Sequence, residues 1–484
     1  MENVEGVSLT QNAGLVGISK FVNTLGLLAA SVILTRFLSR AEYGNYEQVW
    51  LVYNSFLPLI GYGLASSVYF HSAREDKRLV YSSAGILTAF VGIVSGIFLA
   101  ILAPVIAELL NAQALTTYIR IFAVYAVVSS PSLIFESVFI TEHRVGLLLV
   151  GNILMSALLA MVIFVSAVFY HSLTLIFMAI GFVGIVKSLY LFIYLFRQRK
   201  IAYSGLSPVM KAQLFYAVPI IVSSITGTLS RQVDRYLVTL FYSPDQFAIY
   251  TIGAKEIPMI AVITGSASEV LFPVFSELGS NEMVKKFVEI WKNSISKTAV
   301  FLLPMMAFLF FATKDFMEFF FGEKYIPSAG IFRILLMLVP LRLAFYSSAM
   351  LSLGKQKLFM YSSIAELFLS GGISYVLIQA FGIEGAAVGK VLATYIQVTF
   401  LAGVLIVALK TSIIEFFPWW KLVKVSLISV LCLAPLFFIR GYIESVYVRF
   451  LVEGMLYAVC FGGTAILTGL VRVIDLRKLR FVVS

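Results

Sequence analysis

Phe37-Leu-Ser-Arg-Ala-Glu-Tyr-Gly-Asn-Tyr46 and Phe241-Tyr-Ser-Pro-Asp-Gln-Phe-Ala-Ile-Tyr250 are two versions of one segment. They share Phe, Ser, an acid or amide, an aromatic, a small residue and Tyr at matching positions. Downstream of each, Ala65-Ser-Ser-Val-Tyr-Phe70 matches Ala267-Ser-Glu-Val-Leu-Phe272, and Ile119-Arg-Ile121 matches Phe332-Arg-Ile334. Three matches at similar offsets imply that the chain is built twice over.

Each copy of the first segment closes a long apolar run, and such runs recur from end to end. They fall at 12–36, 45–70, 79–107, 116–140, 145–170, 172–197, 212–241, 246–275, 298–320, 329–353, 357–381, 383–409, 421–440 and 446–471. Most reach the roughly 20 residues that a helix needs to cross hydrocarbon. Their side chains do not alternate in character, which excludes an outer-membrane barrel and leaves helices as the way to satisfy the backbone in lipid. Hydrophobic residues make up 60% of the chain and charged residues 13%, against roughly 25% charged in soluble domains. The expectation is an all-α polytopic membrane protein of about fourteen transmembrane helices. The N-terminal MENVEGVSLT lacks the basic region and cleavage site of a signal peptide, so the first run reads as a retained helix.

Basic residues fix the orientation. Loops after even-numbered runs and the C-terminal tail carry residues such as Arg74, Lys77, Arg78, Arg144, Arg197, Arg199, Lys200, Lys285, Lys286, Lys355, Lys357, Arg472 and Arg477. Loops after odd-numbered runs carry only Arg36, Arg40, Lys324, Arg440 and Arg449, which predicts that both termini are cytoplasmic. The net charge of +11 is thus a topology signal, with no nucleic acid implied. Six helices separate the repeat copies, so both halves face the same way, related by a pseudo-two-fold axis along the membrane normal. The predicted organisation is a six-helix bundle over 1–200, a cytoplasmic linker over 201–211, a second six-helix bundle over 212–410, and two additional helices with a basic tail over 411–484. Cys432 and Cys460 lie inside apolar runs, and His71, His143 and His171 lie near run ends. That spacing excludes a disulfide framework or a zinc site, and neither metal nor cofactor is expected.

The segment Leu34-Thr-Arg-Phe-Leu-Ser-Arg-Ala-Glu-Tyr-Gly-Asn-Tyr46 resembles the polysaccharide transporter (O-antigen flippase) family. So do Arg231-Gln-Val-Asp-Arg-Tyr236, running into Tyr242–Tyr250, and Leu271-Phe-Pro-Val-Phe-Ser-Glu277. That family belongs to the multidrug/oligosaccharidyl-lipid/polysaccharide exporter superfamily. The resemblance implies a flippase in the inner membrane. It would move a polyprenyl-diphosphate-linked oligosaccharide from the cytoplasmic to the outer leaflet by alternating access, for surface polysaccharide assembly. Partners would be the lipid-linked glycan, membrane lipid, glycosyltransferases, a glycan polymerase, and H+ or Na+ as coupling ion. Two alternatives stand beside it: a multidrug-type exporter of the same superfamily, and a membrane glycan polymerase or ligase. The latter is an enzyme needing a sizeable outer loop, and the loops after odd-numbered runs are short.

Ionisable residues deep in apolar runs point to function. Lys20, Lys255, Arg342 and Lys390 come from four different runs, and the prominence of basic residues within the spans favours an anionic cargo. Arg231, Asp234 and Arg235 sit at i, i+3 and i+4 on one helix face. They read either as an interfacial salt-bridged anchor or as a cavity-wall site whose arginine forks meet phosphate or carboxylate. Glu256, Glu269 and Glu366 are candidates for ion coupling, or else structural partners of nearby lysines. Glu256 comes first because Pro258 predicts a broken, hydrated helix beside it. Arg333 and Arg342 are on opposite faces of a straight helix unless Pro340 bends it, so Arg333 is set aside. Residues 281–297 read as an interfacial helix on anionic headgroups, or as a plain connector.

Overall fold

The computed structural model describes residues 9–280 and 283–470, and all regular structure among them is helical. Twelve helices among the described residues are long and apolar enough to cross a membrane. The chain is a multi-pass membrane protein. The start of the N-terminal segment and the basic tail from 471 onward lie outside the described residues.

Two compact units form, Met1–Ala248 and Ile249–Ser484. The first contains α1 (Leu9–Phe37), α2 (Arg40–Leu57), α3 (Gly63–Ser72), α4 (Lys77–Leu109), α5 (Leu115–Ser129), α6 (Phe135–Thr141), α7 (Val145–Val168), α8 (Leu173–Arg197) and α9 (Leu206–Phe241). Helix α10 (Pro244–Gly253) begins in the first unit and ends in the second. The second unit continues with α11 (Pro258–Ser280), α12 (Val284–Phe311), α13 (Thr313–Phe321), α14 (Ala329–Leu336), α15 (Tyr346–Ser352), α16 (Gln356–Phe381), α17 (Ile383–Ala408), α18 (Ile413–Phe416), α19 (Trp419–Leu431), α20 (Ala434–Arg440) and α21 (Val446–Leu467).

Two expected spans, 45–70 and 329–353, are missing from the twelve. Both are interrupted in mid-course. A π-helical turn at Pro58–Tyr62 separates α2 from α3, and a 3-10 turn at Val339–Leu343 with an extended residue, Ala344, separates α14 from α15. The fourth expected span is broken at Ser130–Ile134, and the eighth at 254–257, just before Pro258. Pro58, Pro131, Pro258 and Pro340 mark the four sites. Proline has no N–H to give the preceding turn, and its ring collides with that turn's carbonyl. The duplication read from sequence therefore extends to where the helices break: second and eighth, fourth and tenth.

The repeated segment itself is a helix start. Ser39 accepts from the Glu42 amide at 3.2 Å while Glu42 accepts from the Ser39 amide at 2.9 Å, closing a capping box at the head of α2. Ser243-Pro-Asp-Gln246 has the same spacing, with proline at the first position of α10 where its missing N–H costs nothing.

Helix pairs in both units pack through glycines four apart. A Cβ on Gly92 or Gly96 of α4 would overlap Ser130 or the Ala123 carbonyl, and one on Gly385 or Gly389 of α17 would overlap the Leu377 carbonyl or Ser374 of α16. Lipid tails are as apolar as side chains, so close backbone approach of this kind, rather than hydrophobic burial, holds membrane helices together.

Polar staples secure the ends. Glu142, in the turn after α6, takes the Lys200 ammonium at 2.9 Å, the Lys77 ammonium at 3.4 Å and the Tyr81 hydroxyl at 2.7 Å. Burial pushes the Glu142 carboxyl up, but the Lys200 and Tyr81 hydrogen bonds and the two lysine charges outweigh it, leaving the group below the ordinary glutamate range. In the second unit Asp315 of α13 is buried and accepts from both Arg440 at the end of α20 and Arg449 of α21 (2.7 Å for the latter), fastening the terminal helix pair.

The expected interfacial helix at 281–297 is corrected. From Val284 onward it forms the first turns of α12, a 28-residue helix. Its apolar stripe, Phe287, Trp291 and Ile295, is buried against protein: Trp291 meets Phe275, Tyr346 and Phe416. An apolar stripe specifies a face to be covered; here other helices cover it.

Candidate functional site

Helix α9 is 36 residues long with Pro219 inside it. After that proline, Ile220, Ser223, Ser224, Gly227, Thr228 and Arg231 follow at three- and four-residue steps, forming one polar stripe along the helix. This stripe and Ser66 of α3 line an open cavity of about 640 Å³. Gly227 leaves its floor bare, and Arg231 stands exposed at one end with its guanidinium 3.4 Å from the Thr228 hydroxyl. Four hydroxyls and an arginine, on helices flanked by apolar residues, can replace water around a polar or anionic group.

The rest of α9 is fixed to α2. The Tyr236 hydroxyl meets the Ser55 hydroxyl at 2.6 Å, and the Gln48 amide pairs with Thr239. Nearby, Gly44 of α2 lies against Pro244, where a Cβ would come within 1.8 Å of the carbonyl oxygen. Arg40 and Asp245 pair at 3.4 Å. The two repeat copies thus touch each other directly.

Within the Arg231 cluster the side chains part company: Arg231 is exposed, Arg235 half-buried and Asp234 buried at 3% exposure. In the second unit the helix is interrupted before Pro258 as its sequence implies, and Glu256 and Arg342 form an ion pair. It joins the break between α10 and α11 to the one between α14 and α15. Lys255 beside it is half-buried, and Glu269, further along α11, is exposed. The bend at Pro340 separates Arg342 from Arg333, which instead donates to the Phe310 carbonyl at 3.3 Å and the Thr313 hydroxyl at 3.2 Å.

Glu366 is buried on α16 and Lys390 half-buried on α17. Contacts of Gln397 with Ser363 (3.4 Å) and of Ser374 with the Ala386 carbonyl (3.1 Å) set an antiparallel register. That register brings Glu366 and Lys390 to within about one helical turn of each other. The Lys20 side chain lies outside the described residues. Sequence reasoning missed Ser66, Ser223, Ser224 and Thr228; the polar stripe at helical spacing in span 212–241 was the available signal.

A duplicated set of interrupted helices, with a polar-lined cavity among apolar spans, is a fold found in solved transporter structures. It is similar to the structure titled "Lipid II flippase MurJ, inward closed conformation", with a TM-score of 0.73 and 15% identity, covering 93% of this chain and 98% of that one. It is also similar to an inward-facing multidrug resistance MATE family transporter of the MOP superfamily, with a TM-score of 0.67 and 15% identity over 81% and 96% of the two chains. A MOP superfamily transporter from Pyrococcus furiosus, whose title notes a reversed polarity of its binding pocket, gives 0.57 and 16% over 85% and 100%.

The profile of the polysaccharide biosynthesis protein family matches residues 33–330, and the chain belongs to that family. A Shigella flexneri protein named "Putative O-antigen transporter" is 25% identical over 191 residues, 37% of this chain. That match spans 43% of the relative's length.

Proposed function

We propose that this protein is a flippase that moves a polyprenyl-diphosphate-linked oligosaccharide from the cytoplasmic to the outer leaflet by alternating access, for surface polysaccharide assembly. The observation that carries this reading is the cavity built on α9, whose Ser223, Ser224, Thr228 and Arg231 offer hydroxyls and a guanidinium within a helix long and apolar enough to cross a membrane. Sugars and diphosphate stripped of water need such replacements, while a polyprenyl tail can stay in the bilayer. Arg231, with Arg235, Lys255, Arg342, Lys390 and Lys20 as further cationic contacts, binds the anionic head group, and Asp234 positions the arginines. Glu256, Glu269 and Glu366 serve the coupling ion, H+ or Na+. The family membership and the name of the Shigella relative support the reading.

In this proposal the protein sits in the inner membrane with both termini cytoplasmic, next to glycosyltransferases and a glycan polymerase, and transports rather than catalyses. Reporter fusions after Arg199 and after Ser243 should lie on opposite sides; the same side for both overturns the orientation. A multidrug-type exporter is the second reading, favoured by the likeness to the MATE fold. Complementation of a strain lacking this protein decides between them. Wild type should restore surface glycan and Arg231→Ala should not, at equal membrane abundance. Drug resistance without glycan export would establish the second reading.

A further inference from the structure

Glu453 lies on α21, one turn after Arg449. It has no solvent exposure, and neither carboxyl oxygen has a hydrogen-bond partner among the described residues. The groups around it are committed elsewhere. Arg440 of α20 and one terminal nitrogen of Arg449 go to Asp315 of α13, and the other terminal nitrogen of Arg449 goes to the Ile443 carbonyl at 3.2 Å. Tyr457, a turn further along α21, gives its hydroxyl to the Ser429 carbonyl of α19 at 3.0 Å. From α12 the Phe308 ring packs along this part of α21, against Phe450, Gly454 and Tyr457. One donor nearby is idle: the buried Nε–H of Arg449.

A carboxylate that accepts no hydrogen bond in a dry site is the most costly arrangement such a group can take, whereas a neutral acid forfeits only what a lone hydroxyl would. The two arginines and Asp315 also carry one positive charge in excess, so an ionised Glu453 has a place to go: the idle Nε–H at its own i−4 position.

We propose that Glu453 is a proton-binding site, held as the neutral acid in this structure, which on losing its proton turns to capture the Arg449 Nε–H. The terminal nitrogens of Arg449 stay with Asp315 and the Ile443 carbonyl in both states, so the ionised carboxylate takes the idle Nε–H without breaking the clamp of α21 to α13. The site lies outside the α9 cavity and stands independently of the transport reading.

Infrared spectroscopy on the full chain reconstituted in lipid tests this. At neutral pH the wild type should show a neutral carboxylic-acid band that fades on alkalinisation and loses one carboxyl's intensity in Glu453→Gln. Absence of any neutral-acid band in the wild type at neutral pH, or an unchanged band in Glu453→Gln, overturns the assignment. If the Gln variant does not accumulate, Glu453→Asp should move the band, and an unmoved band overturns it.

Discussion

Arg342 and Glu256 are 86 residues apart in the chain and bonded to each other, each from the broken part of its own span. Their side chains remain 41% and 50% exposed, so the pair is a stay between two openings rather than a sealed core contact. At that exposure the pairing contributes about 1 kcal/mol or less. Glu256→Gln and Arg342→Gln should each lower the melting temperature of the purified protein slightly, and exchanging the two residues should restore it. Export should not return with the exchange, because the proposed head-group contact and coupling carboxylate would have traded places. Full export by the exchanged protein would mean that the two residues only hold each other.

Arg231→Lys separates charge from geometry. Lysine keeps the charge but not the planar fork. Export should drop about tenfold, equivalent to about 1.4 kcal/mol, at unchanged membrane abundance. Export at the wild-type rate in the Arg231→Lys, Arg235→Lys double variant would leave the cluster as an anchor.

Gly44→Ala should cost about 1–3 kcal/mol, since the added methyl meets a backbone carbonyl that cannot rotate away. Thermal unfolding in detergent measures it. Pro244→Ala should give no rescue, because the obstacle is the carbonyl and not the ring; rescue would show that the ring is what Gly44 avoids.

The Glu142 staple predicts a pH dependence. Its carboxyl is held below the ordinary glutamate value, about 4.3, so the folded state binds that proton less readily than the unfolded chain does. The stabilisation is present above that ordinary value and is lost as pH falls through the lower folded value. Glu142→Gln should be less stable than wild type at neutral pH and converge with it under acid. A constant gap across the titration would exclude the ion pairs with Lys77 and Lys200 as the cause.

Spans were legible because twenty consecutive apolar residues leave the backbone little choice. The helix breaks were half legible: Pro258 and Pro340 announced theirs beside charged residues, while Pro58 sits among apolar neighbours and Pro131 among serines, with no charge beside either, and both spans read as continuous helix. The Arg231 stripe could be read from spacing alone, because neighbours on one helix are set by its period. Pairings between distant segments could not. Nothing local to Glu256 names Arg342, and nothing in the periodicity of 284–295 says whether lipid or protein will cover Trp291. The Glu453 site was invisible for the same reason, being defined by which donors in other helices are already taken.

The interrupted spans also bear on how the chain enters the bilayer during synthesis. Backbone groups left unpaired where a helix is interrupted, as at the extended Ala344 after Val339–Leu343, have no water in hydrocarbon to turn to. A segment carrying such a gap is poorly stable in lipid by itself and must wait at the insertion machinery for neighbours that shelter it. In the second unit α12 already covers the break and α11 covers α15, but α14 packs chiefly on α17, which is synthesised only afterwards. Chains released after Ser352 should therefore be left with that segment outside the membrane, whereas release after Ala408 should carry it in.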